Sequence, residues 1–193
     1  MLLKRYISVY ENFLNKKQLD KFLRFCKTRE FQAGKIGTDP NHTNSVNKKI
    51  RDVSLCQLHI GNKSYSEVHW ANVFRKIFLS YFNDYVIKHN LIKDYGQITN
   101  LLQCDILKYG KSNHYKFHVD ESKGSQRVLS AIFFLNDDYE GGELTFKNTF
   151  DDTVEEVEKK AGSIVIWPSN FLFPHAVKPV TSGERFTVVA WAN

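Results

Sequence analysis

The sequence predicts a β-rich domain of jelly-roll type: an all-β core with flanking helices, a double sheet supported by two N-terminal helices. Three observations predict it. Helical periodicity occurs twice, and both times in the first hundred residues. From about residue 98 the apolar period changes to two. Turn residues then punctuate a series of short apolar runs. A chain of 193 residues is the size of one domain with a proper core. We take 1–97 as helical support and substrate loops, and 98–193 as the sheet core.

Asn12 to Lys27 reads as a helix. Asn15 suits its N-cap, and Leu19, Phe22, Leu23 and Cys26 recur on one face. Residues 32–49, QAGKIGTDPNHTNSVNKK, form a long polar loop of the kind that serves as a lid or binding segment. Glu67 to Asn90 reads as a longer helix. Val73, Ile77 and Tyr81 make one stripe, with Phe74, Phe78, Phe82 and Tyr85 beside it. So broad an apolar surface needs a sheet to cover it.

The candidate strands are Leu101–Tyr109, Tyr115–Asp120, Arg127–Leu135, Glu143–Phe146, Asp152–Lys159, Ser163–Trp167, Ala176–Val180 and Arg185–Ala192. Gly110, Lys123-Gly124-Ser125, Gly141-Gly142, Ala161-Gly162, Pro168-Ser169-Asn170 and Ser182-Gly183 separate most of them. Short strands following helices suggest two stacked sheets with the helices on one outer face.

The bulk composition excludes several classes. No run approaches the roughly 18 apolar residues needed to span a bilayer. The start, MLLKRYISVYENF, does not read as a signal peptide. Cys26, Cys56 and Cys104 are widely spaced and form no CxxC pair, which predicts reduced thiols and a cytoplasmic protein. The net charge of +6 is uneven: the first hundred residues carry 17 basic and 8 acidic side chains, the remainder 10 and 13. A basic half could face nucleic acid, but the charges are scattered and form no recognition helix or zinc finger. A solvated lysine-rich surface is the expectation.

The chemistry is concentrated in His118-Val119-Asp120, His175 and Arg185. Alternate side chains of a strand share a face, so His118 and Asp120 are expected to point one way with Lys116 behind them. Tyr115, Phe117 and Val119 are expected to point the other way. His175 lies far enough along the chain to come from a second strand. Two imidazoles and one carboxylate on one face of a metal leave positions open opposite, which suits a non-haem Fe(II) oxygenase. Arg185 begins the last strand, with Thr187, Val189 and Trp191 at alternate positions. Buried there, it needs a carboxylate partner, and a bound dicarboxylate would supply one. His42, His59, His69 and His89 have no such context. His114 lies close enough to the site mouth to touch a substrate.

These residues, within LLQCDILKYGKSNHYKFHVD, RVLSAIFFLNDDYEGGELTF, AGSIVIWPSNFLFPHAVKPV and GERFTVVAWAN, resemble the Fe(II)/2-oxoglutarate-dependent dioxygenase superfamily and its prolyl 4-hydroxylase-like branch. The resemblance covers about half the chain. It implies a double-stranded β-helix, with His118, Asp120 and His175 as iron ligands. It implies Arg185 as partner of the distal carboxylate of 2-oxoglutarate and Tyr109 as a wall of that pocket. Gly141-Gly142-Glu143-Leu144 matches the branch's turn into the next strand, a backbone requirement. Some relatives place a tyrosine hydroxyl where Phe134 stands, and Thr187 resembles the second donor of an Arg-x-Ser/Thr pair that would substitute for it. Phe117, Phe133 and Trp191 are expected in the core, and Trp167 at the pocket rim. Substrate contacts are expected from His114, Lys116, Trp167 and the loops 32–49, 121–126 and 168–173.

The activity so implied consumes O2 and 2-oxoglutarate at Fe(II), with ascorbate in support, and hydroxylates a C–H bond of a proline-containing peptide or protein. A free amino-acid hydroxylase is an alternative. An AlkB-like nucleic-acid demethylase would usually carry an arginine where Trp191 stands. A cupin-like metal barrel would leave Arg185 without a purpose, and its usual ligand pattern is not visible.

Overall fold

The computed structural model describes residues 3–11, 14–36, 45–61, 64–121 and 127–193. A 3-10 turn (Leu3–Tyr6) leads into β1 (Ser8–Tyr10) and helix α1 (Lys16–Lys27). Short strands β2 (Gln32–Ala33), β3 (Arg51–Asp52) and β4 (Ser54–Gln57) precede the long helix α2 (Tyr65–Lys88) and the single turn α3 (Ile92–Tyr95). Then come β5 (Leu101–Tyr109), β6 (His114–His118), β7 (Leu129–Phe134), β8 (Glu140–Gly141) and β9 (Leu144–Lys147). The chain closes with β10 (Val154–Val157), β11 (Ile164–Pro168), β12 (His175–Val177), β13 (Val180–Ser182) and β14 (Arg185–Ala192).

The strands form a major sheet in the order β1-β11-β7-β14-β5-β4-β2, a minor sheet β10-β9-β12-β6-β3 and a small pair β13-β8. The pairings that build all three are antiparallel. This is the jelly roll the sequence predicts. Among the described residues, no helix is long and apolar enough to cross a membrane.

Parity along β14 shows how the layers are joined. Phe186, Val188, Ala190 and Ala192 enter one core, between the major sheet and the helices. Val189 and Trp191 enter a second core, between the two sheets. All eight residues of β14 are buried, as a strand covered on both faces must be. The helical side is aromatic: Phe74 of α2 meets Phe22 of α1 at 4.6 Å and Phe133 of β7 edge-on at 5.4 Å. Burying such a side chain contributes roughly 1.5–3 kcal/mol.

Helix α1 begins after Asn15, whose side chain accepts from the Gln18 amide while Gln18 reaches back to the Asn15 amide. This reciprocal cap satisfies two donors that a helix start leaves open. In α2 the buried line runs through Phe74, Phe78 and Phe82, with Ala71, Ile77 and Tyr85. Val73 and Tyr81, expected in the central stripe, only flank it.

Two further expectations need correction. The N-terminal half is not only helix and loop: it gives edge strands to both sheets. Those strands are two to four residues long, too short to display a period of two. The strand expected over Ala176–Val180 is two strands. Pro179 has no N–H to extend a ladder, and the chain crosses there from the minor sheet to pair with β8. Gly141 and Gly142 both have positive φ, and a Cβ on Gly141 would lie 2.3 Å from the Pro179 carbonyl oxygen. Only glycine fits that turn.

Candidate metal centre

The antiparallel ladder between β6 and β12 places His118 directly opposite His175. Their rings are 4.3 Å apart. Asp120 lies two residues beyond β6, so the triad combines two strand ends and the bend that follows one of them. His118 Nε2 is 3.7 Å from Asp120 Oδ1, and His175 Nε2 is 3.5 Å from Oδ2. One ligand atom from each residue falls within 4.8 Å of the others.

The protonation of both histidines is set by the backbone. His118 Nδ1 lies 2.9 Å from the Lys116 carbonyl, and His175 Nδ1 lies 3.1 Å from the Phe173 carbonyl. A carbonyl only accepts, so each Nδ1 carries the proton and each Nε2 offers a lone pair inward. Burial, and next the neighbouring His175, hold His118 far below the usual imidazole range, at about 3. Burial alone would raise Asp120. The two histidines outweigh it, helped by hydrogen bonds from Ser130 and Trp191, and hold the carboxyl below its ordinary range. Two imidazoles that turn Nε2 inward and one carboxylate are the donor set of a non-haem Fe(II) site.

Asp120 is anchored from behind. Ser130 donates to its Oδ2 at 2.6 Å, and Ser169 lies 2.7 Å from Ser130. Both serines are buried. Trp167 packs edge-on to His175 at 4.8 Å, and Phe146 lies beyond it. Trp167 is the cavity's buried wall, not its rim, and its indole N–H has no partner.

Strand β6 departs from strict alternation. His175 pairs with His118, but Val177 pairs with Tyr115, so three residues of β6 span two of β12. This bulge puts Tyr115 on the ligand side, its ring stacked 3.5 Å from that of His118. It also corrects the expected substrate contacts. Lys116 points to solvent. The His114 ring sits against the carbonyls of Ser112 and Lys49, and neither residue lines the cavity. Phe117, expected in the core, is 46% exposed.

Arg185 has no solvent exposure. Its guanidinium lies 5.0 Å from the Tyr109 ring centre and 5.4 Å from that of Phe134. Nη1 donates to the Thr187 hydroxyl at 3.3 Å, while Nε and Nη2 have no partner among the described residues. Register explains the grouping: Arg185 stands opposite Tyr109, and Thr187 stands between Leu107 and Phe134. A buried guanidinium with bare donors fits a carboxylate. The Tyr139 hydroxyl also lies beside Arg185 without a proper hydrogen-bond partner, and sequence reading missed it.

A cavity of about 540 Å³ opens over the triad between the two sheets. Tyr109, Tyr115, His118, Asp120, Trp167 and His175 line it, and so does Trp191, which packs in the core between the sheets as expected. The first residues of the 32–49 loop reach its wall at Gln32, Ala33, Lys35 and Ile36. Residues 37–44 of that lid expectation, His42 included, and most of the 121–126 loop lie outside the described residues. In the 168–173 loop, Ser169 and Phe173 are buried.

Residues 104–193 match the sequence profile of the 2OG-Fe(II) oxygenase superfamily. The stretch holds the triad, Arg185 and Tyr109 together. A PKHD-type hydroxylase of Synechococcus sp. strain CC9902 is 37% identical to this chain over 110 residues, 55% of this chain and 48% of the relative. A PKHD-type hydroxylase of Nitrosomonas europaea is 45% identical over 86 residues, 39% of this chain and 36% of its own. This chain thus spans about half or less of the curated relatives it matches. A Pseudomonas putida prolyl-4-hydroxylase superposes with a TM-score of 0.70 at 20% identity, covering 97% of this chain and 92% of its own. A Trichoplax adhaerens prolyl hydroxylase in complex with a hypoxia-inducible-factor peptide fragment gives 0.69 at 18% identity, with 97% and 83% covered. At these identities the likeness establishes the oxygenase fold.

Proposed function

We propose that this protein is an Fe(II)- and 2-oxoglutarate-dependent hydroxylase of a C–H bond, with a peptidyl proline as its target. One observation carries the reading: a three-donor metal cluster shares its barrel with a fully buried arginine whose Nε and Nη2 lack partners. Either feature alone would also suit a protein of another kind. Together they match the needs of a metal and a dicarboxylate co-substrate. Prolyl hydroxylases among the fold's neighbours, one of them bound to a peptide fragment, support the choice of substrate.

When bound, Fe(II) supplies the oxidative chemistry: 2-oxoglutarate and O2 become succinate and CO2, and one oxygen atom enters the substrate C–H bond. The chain's own residues bind, orient and exclude. His118, His175 and Asp120 hold the metal through Nε2, Nε2 and a carboxylate oxygen. The two carbonyls behind the rings keep those lone pairs free of protons. Arg185 pairs with the far carboxylate of 2-oxoglutarate. Thr187 accepts from Arg185, so its own hydroxyl proton is free to reach the same carboxylate, which replaces the donor missing at Phe134. Tyr109 walls the pocket, and Trp167, Trp191 and Tyr115 restrict water around the reacting centre. Three free cysteines and the need to keep iron reduced favour the cytoplasm.

The test is succinate release with Fe(II), 2-oxoglutarate and ascorbate across a peptide panel that includes proline-rich sequences. Turnover with a proline peptide is expected, and His118→Ala should abolish it. Failure of the wild type to bind or consume 2-oxoglutarate with any substrate would end the reading.

A further inference from the structure

Two carboxylates are buried among the described residues. Asp120 belongs to the metal centre, and Asp105 does not. Asp105 sits in β5 on the inward face, four residues before Tyr109, and lines the cavity that opens over the triad. Opposite it on β14 is Val189, which offers no hydrogen bond. Its Oδ2 accepts from Gln103 Nε2 at 2.5 Å, while its Oδ1 is buried with no partner among the described residues. Arg51 and Arg127 also line this cavity; each guanidinium makes a contact away from Asp105, and Arg51 Nε keeps no partner among the described residues. Arg127 lies 4.0 Å over the Trp191 ring and donates to the Asp120 carbonyl. Arg51 donates to the Lys35 carbonyl and lies 4.8 Å over the Tyr115 ring. No ion pair joins either of them to Asp105 among the described residues. A bare carboxylate oxygen in a buried wall is costly unless an incoming group restores its hydrogen bond.

We propose that Asp105 Oδ1 is a substrate-recognition acceptor, taking a hydrogen bond from an N–H group of the bound substrate next to the carbon that reacts. The inference rests on the hydroxylase reading. The shared chemistry is a nitrogen donor, supplied by a backbone amide or by an ammonium. Charge favours the amide: Arg51, Arg127 and Lys35 line this cavity against Asp105 and the metal ligand Asp120, so a dipolar group fits better than another cation. Its N–H faces Asp105 and its carbonyl oxygen faces the guanidiniums. A peptide offers that pair of groups on either side of a proline.

Calorimetry on the full chain loaded with Mn(II) and 2-oxoglutarate reads binding without turnover. The probes are a proline-containing peptide, its twins N-methylated at single backbone amides flanking the proline, and a lysine-containing analogue. Wild-type protein should lose about ten- to hundredfold in affinity on N-methylation at one position. Asp105→Leu should lose as much with the unmodified peptide and be indifferent to that methyl group. Asp105→Asn keeps an acceptor without the charge: near-wild-type binding identifies a neutral amide donor, and a loss equal to that of Asp105→Leu, with the lysine analogue preferred by wild type, identifies an ammonium. Unchanged 2-oxoglutarate affinity shows that the variants are folded. Asp105→Leu binding the peptide like wild type, or N-methylation remaining equally costly in that variant, would overturn the assignment. Wild-type protein that discriminates these peptides but releases no succinate would sink the hydroxylase reading and leave Asp105 as the acceptor.

Discussion

The Ser130 hydroxyl is bonded to Asp120 Oδ2 at 2.6 Å while Ser169 lies 2.7 Å behind it. The carboxylate is therefore held by a two-hydroxyl relay that fixes its plane before any metal arrives. Removing Ser130 strips the negative charge of one of its two donors and loosens the carboxylate, which Trp191 alone then holds. Ser130→Ala should weaken metal affinity about ten- to hundredfold, as such supporting contacts do. Titration with Co(II), followed by its d–d absorption, measures this. Ser130→Thr should restore most of the affinity, because it keeps the hydroxyl.

The Arg185 pocket predicts a graded loss of co-substrate. Arg185→Gln removes the buried cation and should raise the 2-oxoglutarate dissociation constant by about a hundredfold or more. Thr187→Val removes one neutral hydroxyl and should raise it by about five- to tenfold. Binding to the Mn(II)-loaded protein reads both. An unchanged constant for Thr187→Val would exclude it as the replacement for the hydroxyl missing at Phe134.

The aromatic seam between α2 and the major sheet bears on stability and not on chemistry. Phe74 has no exposed surface and touches Phe22 and Phe133. Phe74→Ala should cost about 3–5 kcal/mol, measured by urea unfolding. Metal affinity of the folded fraction should stay near that of wild type, since this core lies on the far side of the sheet from the triad.

Asp105 predicts an opposite trade. Burial pushes its carboxyl up to about 6 from 3.8, against a lowering by Gln103, Arg51 and Arg127. A carboxyl whose folded pKa lies above the unfolded value favours the folded state only while protonated. That stability fades as pH rises from 3.8 through about 6. Above it the charge is a standing cost of the order of 1–3 kcal/mol. Asp105→Asn, always neutral, should therefore unfold at a higher temperature than wild type above pH 6. The gap should close near about pH 4. Thermal unfolding across that range checks the sign, and a variant less stable at neutral pH would contradict it.

Much of this was legible in the sequence. His118, Asp120, His175 and Arg185 are uncommon residue types whose spacing restricts what they can do together, and the structure gathers the first three within 4.8 Å. Strands Leu101–Tyr109 and Arg185–Ala192 fall where their periodicity puts them. Asp105, Ser130 and Ser169 left no signal. A single polar residue inside an apolar run has no partner at a fixed spacing, and its role appears only once β5, β7 and the loop after β11 stand side by side. The misplacement of Lys116 and Tyr115 has one cause, the extra residue in β6, which local alternation cannot reveal.

That extra residue acts as a phase shift in the strand. Upstream of it side chains keep one parity, and downstream the other, so His118 keeps its aim whatever Lys116 and Phe117 become. Deleting one residue there would bring the two stretches back into step and swing Tyr115 away from the ring it covers. The outer lip of the barrel is thus free to drift in sequence while the ligand beneath it stays fixed.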